Sequence, residues 1–391
     1  PVFLINFYID LNNYILKIKQ KVTTIFIIYF SAELVKTDLK SILNCQKNIF
    51  FHTFYFFILI LNVKYSIIYY VKICIPAKMK GKQMKKTISR VIIVILALLI
   101  LTAVIFSVFV FLKARDVVNP KRKMLISDPS SVNLYFDAFE TTNGENTIKG
   151  WYIPAQKSEN ETEESQKTII FSHNYADNME MNDISFLYFA RFLAQNGYNI
   201  ITFDYTGSGN SDGARYTLGQ AEEIADLVSV IDYVKKTYPD HKLALFGWAF
   251  GAAAAISAAE SQDIDIVISD SSYTDLSELL DESMYYMTGI DNQFFNNCVK
   301  LLLPLISSID YEAESPKDIV EKSSGKKFLF IHGENDDVIS PDNAEILYSS
   351  ATQNNEAMLY TIPDCPHIYG FMESEDNYKI TVLYFLQEAF S

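Results

Sequence analysis

The alternation of apolar and polar positions changes character twice along the chain. From Val91 to Leu112, VIIVILALLILTAVIFSVFVFL, no charged residue interrupts an apolar run. At ~1.5 Å per residue a helix of that length exceeds the ~30 Å hydrocarbon layer of a bilayer. No A-x-A-like cleavage site follows it, which favours an uncleaved anchor over a signal peptide. The pattern predicts a basic tail and transmembrane anchor over 79–112, a linker over 113–128, and an anchor helix lying apart from the core of the domain that follows.

From about Asn133 the pattern becomes globular. NLYFDAFET alternates like a strand, and Asn143-Gly144 marks a turn into a second strand, IKGWYIPA. Short apolar runs at Thr168–Phe171, Tyr198–Phe203, Leu243–Phe246, Ile264–Ile268, Lys327–Ile331 and Met358–Ile362 then predict strands. Helices are predicted at Phe186–Gln195, Leu218–Lys236, Asp342–Ser350 and Tyr378–Ala389. In the second of these, Ile224, Leu227, Val228, Ile231 and Val234 recur at helical spacing. Such alternation implies an α/β fold, a mostly parallel twisted sheet with helices on both faces. Over 274–321 the alternation stops, and a helical stretch rich in Leu, Tyr, Met and Phe reads as a small cap over the sheet's carboxyl edge.

Composition changes the picture at the N-terminus. Residues 1–78 hold no Gly, Arg, Trp or Met and are dominated by Phe, Ile, Tyr, Asn and Lys, types that share A/T-rich codons. The segment reads as upstream sequence translated in frame, with the start at Met79; the competing reading is a further membrane segment at Ile49–Leu61. Charge separates the parts. Of the chain's 33 basic and 47 acidic residues, 14 and 42 fall in 129–391, a net of −28. A domain so acidic repels phosphate backbones, which argues against a nucleic-acid partner. Five basic residues (Lys80, Lys82, Lys85, Lys86, Arg90) precede the apolar run and five (Lys113, Arg115, Lys121, Arg122, Lys123) follow it, so the positive-inside rule is nearly balanced. A short basic tail before a first span usually stays in the cytoplasm, which places the large domain outside. Cys298 and Cys365, the two cysteines of the globular part, show no metal-ligand spacing.

The stretch that organises the domain is KLALFGWAFGAAAAI, a buried strand followed by a two-glycine corner and a helix of small residues. A strand entering a helix through G-x-S-x-G is a nucleophile elbow, whose outer glycines let strand and helix meet. Gly247 and Gly251 fit; the central residue is Ala249. Four other strand-end loops carry candidate chemistry: FSHNYADN, FDYTGSGNSDG, IHGENDDVISP and CPHIYG. With GWAFG, in this order and spacing, they resemble the α/β-hydrolase superfamily, in the bacterial branch similar to serine esterases, monoacylglycerol lipases and serine aminopeptidases. The resemblance covers residues 129–391.

It implies the α/β-hydrolase fold and a site made of Ala249 at the nucleophile position, Asp336 as the acid and His367 as the base. Asp337 is the adjacent alternative for the acid. The oxyanion hole would use the backbone N–H groups of Phe250 and Tyr175, with Asn174 standing where the family usually has glycine and keeping the loop's shape. No cofactor or metal is implied. Ser208 and Ser211 read as turn formers, and His173 and His332 as structural members of strand-end motifs. Cys365, two residues before His367, reads as a buried small hydrophobe, a Cys/His pair being the other possibility. Alanine at 249 offers neither nucleophile nor proton. It is explained by a natural non-catalytic relative, a deliberate Ser→Ala change or a single-base error. The expectation is a single-pass membrane protein on a hydrolase scaffold for carboxylic esters or related acyl substrates, little active as written. The alternative is a binding or accessory protein that keeps the pocket.

Overall fold

A computed structural model describes residues 81–156, 164–214 and 217–391. The readings made on residues 1–78 lie outside the described residues. Eight strands form one sheet in the order β1-β2-β4-β3-β5-β6-β7-β8. β1 (Asp137–Asn143) and β2 (Asn146–Ile153) are the predicted hairpin, paired antiparallel through Asn143↔Asn146. β2 also lies antiparallel to β4 (Asn199–Phe203). From β4 onward all pairing is parallel, through β3 (Lys167–Ser172), β5 (Lys242–Trp248), β6 (Ile266–Asp270), β7 (Lys327–Gly333) and β8 (Glu356–Ile362).

Side chains alternate across the pleat, and both faces are buried, which is why the strands read as continuous apolar runs. Ile169 and Phe171 of β3, and Phe246 and Trp248 of β5, pack on one face with Phe186 and Phe189 of α2 (Phe186–Gln195) and Tyr378 and Val382 of α10 (Glu375–Ala389). Ile170 and Leu245 point the other way. They meet Leu227 and Ile231 of α3 (Ala221–Thr237), Ile256 of α4 (Phe250–Ser261), Ile319 of α7 (Pro316–Lys322) and Leu347 of α8 (Asp342–Ala351). Between β6 and β7 stand α5 (Leu276–Thr288), capped by Asp275, and α6 (Gln293–Ile306), capped by Asn292. A four-residue helix, α9 (Gly370–Glu373), precedes α10.

The N-terminal helix departs from expectation. α1 runs Gly81–Val118, past the end of the apolar run at Leu112, because KARDVV is compatible with helix and only Asn119-Pro120 stops it. By length and composition Lys85–Val118 can cross a membrane. The chain divides into two units within α1, at Ile100 and Leu101. In the unit Leu101–Ser391 the helix is not detached from the core. Val110, Ala114, Val117 and Val118 are buried in a cluster with Phe250, Tyr273, Leu280 and Phe295.

Nor do the residues after the helix form a free tether. Arg122 donates to the carbonyls of Gly209 (3.2 Å), Ser211 (2.6 Å) and Gly213 (2.9 Å). Lys123 pairs with Asp177 at 2.6 Å and Asp183 at 2.8 Å. The N–H groups of Ile126 and Ser127 and the Ser127 hydroxyl all donate to the buried Glu180 carboxylate. Residues 119–128 are a strap laid on the domain. Hydropathy could not reveal this, since the partners lie far along the chain.

The tightest place is the corner between β5 and α4. A Cβ on Gly247 would lie 2.3 Å from the carbonyl oxygen of Gly251, and one on Gly251 would lie 2.4 Å from those of Ser172 and His173. These are backbone atoms of packed elements and cannot yield. Gly251→Ala is therefore expected to destabilise the protein by ~1–3 kcal/mol or more. Ser257→Ala, nearly two turns further along α4, should stay within ~0.5 kcal/mol. Urea midpoints of the detergent-solubilised chain measure both.

Candidate active site

Ala249 sits at the corner itself, fully buried, with φ 50° and ψ −112°. That backbone is strained for any residue with a Cβ, at ~1–3 kcal/mol. Its N–H donates to the Asp270 carbonyl at the end of β6 (2.8 Å), and its carbonyl accepts from Ala252 and Ala253 in the first turn of α4. Sheet and helix hold it from both sides. The N–H of Phe250 follows directly, a first-turn donor with no intrahelical acceptor.

Asp336 and His367 come from the loops after β7 and β8. The two loops are stitched together: Glu334 donates to the Ile362 carbonyl (2.9 Å) and Asn335 to that of Cys365 (3.0 Å). His367 Nδ1 lies 2.6 Å from Asp336 Oδ2. The other carboxylate oxygen accepts the N–H groups of Val338 (2.9 Å) and Ile339 (2.8 Å). Burial by itself raises the Asp336 pKa. The hydrogen bonds from His332 and His367, the His367 charge and the Ile339 N–H outweigh it and hold the carboxyl well below its ordinary range. Asp337, the neighbouring acid, is exposed. His367 is followed by Ile368 at φ 58°, a strained position for a β-branched residue.

Two side chains enter that sequence reasoning passed over. His332, read as structural, touches the same carboxylate. Its Nε2 is 3.0 Å from Asp336 Oδ2 and 2.9 Å from the Ile339 carbonyl. Both neighbours accept, so Nε2 carries the proton; its buried Nδ1 has no partner among the described residues. Asp270 is buried beside them and accepts from Tyr378 Oη (2.7 Å) and Ser271 Oγ (2.9 Å). Burial raises its pKa against those two hydrogen bonds. The signal available in the sequence was an acid ending a strand.

On the side of the expected oxyanion donors, both ring nitrogens of His173 are engaged. Its Nε2 accepts from the Tyr205 N–H (3.2 Å) and its Nδ1 donates to the Asn174 carbonyl (2.7 Å), while burial holds its pKa down to about 4. Asn174 does more than stand in for glycine. Its Oδ1 accepts the N–H of Tyr175 at 2.6 Å, so the second expected oxyanion donor is already engaged. The Tyr175 ring lies 5.7 Å from that of Phe250, and its hydroxyl donates to the Val117 carbonyl near the end of α1 (2.7 Å).

Ser211 and Cys365 are engaged in contacts of their own. Ser211 Oγ accepts from Lys149 N–H and donates to the Asp204 carbonyl, as a turn former would. Cys365 is buried and donates to the Pro366 carbonyl. Burial, with Asp270, Glu373 and Asp336 nearby, pushes its thiol up to about 12. A thiol so disfavoured as thiolate is a poor nucleophile.

A cavity of ≈ 560 Å³ joins these parts. His367, Asn174, Tyr175 and Phe250 line it, with Tyr286 from the cap and Lys121 from the strap. The fold thus brings the Asp336–His367 pair and the elbow helix to one edge of the sheet.

The fold and this strand-end arrangement define an α/β-hydrolase-fold protein. Residues 163–269 match the family model described as serine aminopeptidase, S33. The chain is 28% identical over 289 residues to the uncharacterized protein YfhR of Escherichia coli O157:H7, an alignment covering 72% of this chain and 90% of that one. It is 23% identical to protein bem46 of Schizosaccharomyces pombe over 62% of this chain and 74% of bem46. Among solved structures, the Pyrococcus furiosus esterase Pf2001 superposes with TM-score 0.57 at 23% identity, over 70% of this chain and all of that one.

Asp336 supplies a test of this geometry. Its depressed pKa contributes stability that is present above the ordinary carboxylate value of 3.8 and is lost as pH falls through the lower folded value. Asp336→Asn should destabilise the protein by ~1.5–3 kcal/mol at neutral pH. Below pH ~4 the difference between the two proteins should shrink, as denaturation midpoints across a pH series would show.

Proposed function

We propose that the protein is a membrane-anchored acyl-hydrolase scaffold in which Ala249 has disabled turnover. The observation that carries this reading is the assembled Asp336–His367 pair, 2.6 Å apart, beside an elbow that keeps its strained backbone without a hydroxyl to present. Asp336 would hold the imidazole in the Nδ1–H tautomer and stabilise its cation, leaving Nε2 to take a proton. A serine at 249 would offer that proton, and the Phe250 N–H would donate to the developing oxyanion. The matched family model, which spans the elbow, is described as a serine aminopeptidase; a peptide bond is an acyl–nitrogen bond, which supports acyl compounds as the ligand class. The apolar span of α1 holds the domain at a membrane, and the short basic segment before it favours the cytoplasm, which puts the domain on the outer side.

A second reading, binding without turnover, is favoured by Asn174. Two separate departures from hydrolase chemistry, at 249 and 174, fall on the nucleophile and on one oxyanion donor, while the pocket and the acid–base pair persist.

Activity separates the readings. The protein as it stands should hydrolyse p-nitrophenyl acetate barely above background, since loss of a triad nucleophile removes up to ~10⁶ in kcat. Ala249→Ser should raise the rate by orders of magnitude. Adding Asn174→Gly should release the Tyr175 N–H and give up to a further ~10²–10³-fold. Ordinary esterase rates in the unaltered protein, with no gain from serine, would mean another nucleophile. Inactivity of both variants on a broad ester panel would give the lead to binding.

A further inference from the structure

The contacts between α1 and the cap fix where the cap lies in depth. Phe106 and Phe109 belong to the apolar run Val91–Leu112. The Phe106 ring lies 5.9 Å from Phe294 and 6.0 Å from Phe295, and Phe109 lies 5.3 Å from Phe295. All these cap residues are in the first turn of α6. If the bilayer ended below Phe106, only Val91–Ile105 would remain to cross it, ~22 Å at 1.5 Å per residue against a need of ~30 Å. Lys85–Arg90, at the start of the wider candidate span, carry three charges, so the uncharged run must do the crossing. It is long enough only if Phe106 and the residues beyond it lie in lipid. The start of α6 must then lie there too.

The rest of α6 is built for such a place. Phe294, Leu301 and Leu305 are 46%, 37% and 77% exposed. At 100° per residue they fall within about 20° of one line on the helix surface. The opposite side, Phe295, Val299 and Leu303, is buried in the cap. Tyr285 and Tyr286 of α5, exposed beside it, are the amphipathic aromatic type that settles at headgroup level.

We propose that α6 lies in the apolar layer of the same bilayer that α1 crosses, with its Phe294–Leu301–Leu305 stripe against lipid. This rests on the reading of α1 as a membrane span. The occupant of the stripe is the lipid surface itself, because Phe294 continues directly from the span's own apolar face. The cavity would then open at headgroup depth, between the strap residues Asn119–Lys121 and Tyr286.

Site-directed spin labelling of the full chain in lipid vesicles tests the depth. Cys45, Cys74 and Cys298 are first changed to alanine, leaving Cys365 buried and unreactive. Single labels then go in through Leu301→Cys, Leu305→Cys, Ile100→Cys in the span and Ile380→Cys on the exposed face of α10. The expected result is a ratio of oxygen to nickel-chelate collision rates at 301 and 305 several-fold above that at 380 and close to that at 100. If 100 reports lipid while 301 and 305 match 380, the cap lies in water and the proposal is overturned while the anchor reading stands. If 100 also matches 380, both are overturned.

Discussion

Everything at this site depends on two backbones being allowed to touch. Strand β5 must turn into α4 within a few residues, and α4 must then lie against the end of β3. With Gly247 and Gly251 lacking Cβ atoms, carbonyl oxygens stand where side chains would be. The helix that follows is Ala252–Ala255, small enough to keep the approach close. That contact aims the first-turn N–H groups of α4 at the sheet edge and holds residue 249 in a conformation it would not choose. The strain is a property of the corner and is present with alanine at its centre.

The second dependency is polar. One buried carboxylate, Asp336, answers to His367, His332 and two backbone N–H groups. A charge placed this deep is tolerable only when its lone pairs are filled, and filling them fixes both loops at once. The histidine that faces the cavity is therefore oriented by a network whose other members face the core. The Asp336–His367 contact therefore also ties the loops after β7 and β8 together, and removing the carboxylate would disturb the fold.

Much of this was legible beforehand. The alternation of short apolar runs with amphipathic helices located every parallel strand to within two residues. The motif order gave Asp336 and His367 as partners, and the two are in contact. What escaped was set by side chains reaching across the fold. Nothing local in Asn174 says that its carboxamide takes up the Tyr175 N–H. Nothing in His332 says that it shares an acid with His367. Periodicity likewise sees a hydrophobic run but not its neighbours, so α1 read as a detached anchor ending at Leu112 when its last two turns belong to the domain's own core.

The strap after α1 has a consequence for where the domain begins. Glu180 is buried, and three of its hydrogen bonds come from Ile126 and Ser127. Arg122 closes the glycine-rich loop after β4, and Tyr175 holds the end of α1 through Val117. A soluble fragment cut at the first strand would leave a carboxylate stranded in the interior, an unbraced loop and a pocket missing one wall. The natural boundary of the folding unit lies upstream of the sheet, inside the helix that hydropathy assigns to the membrane.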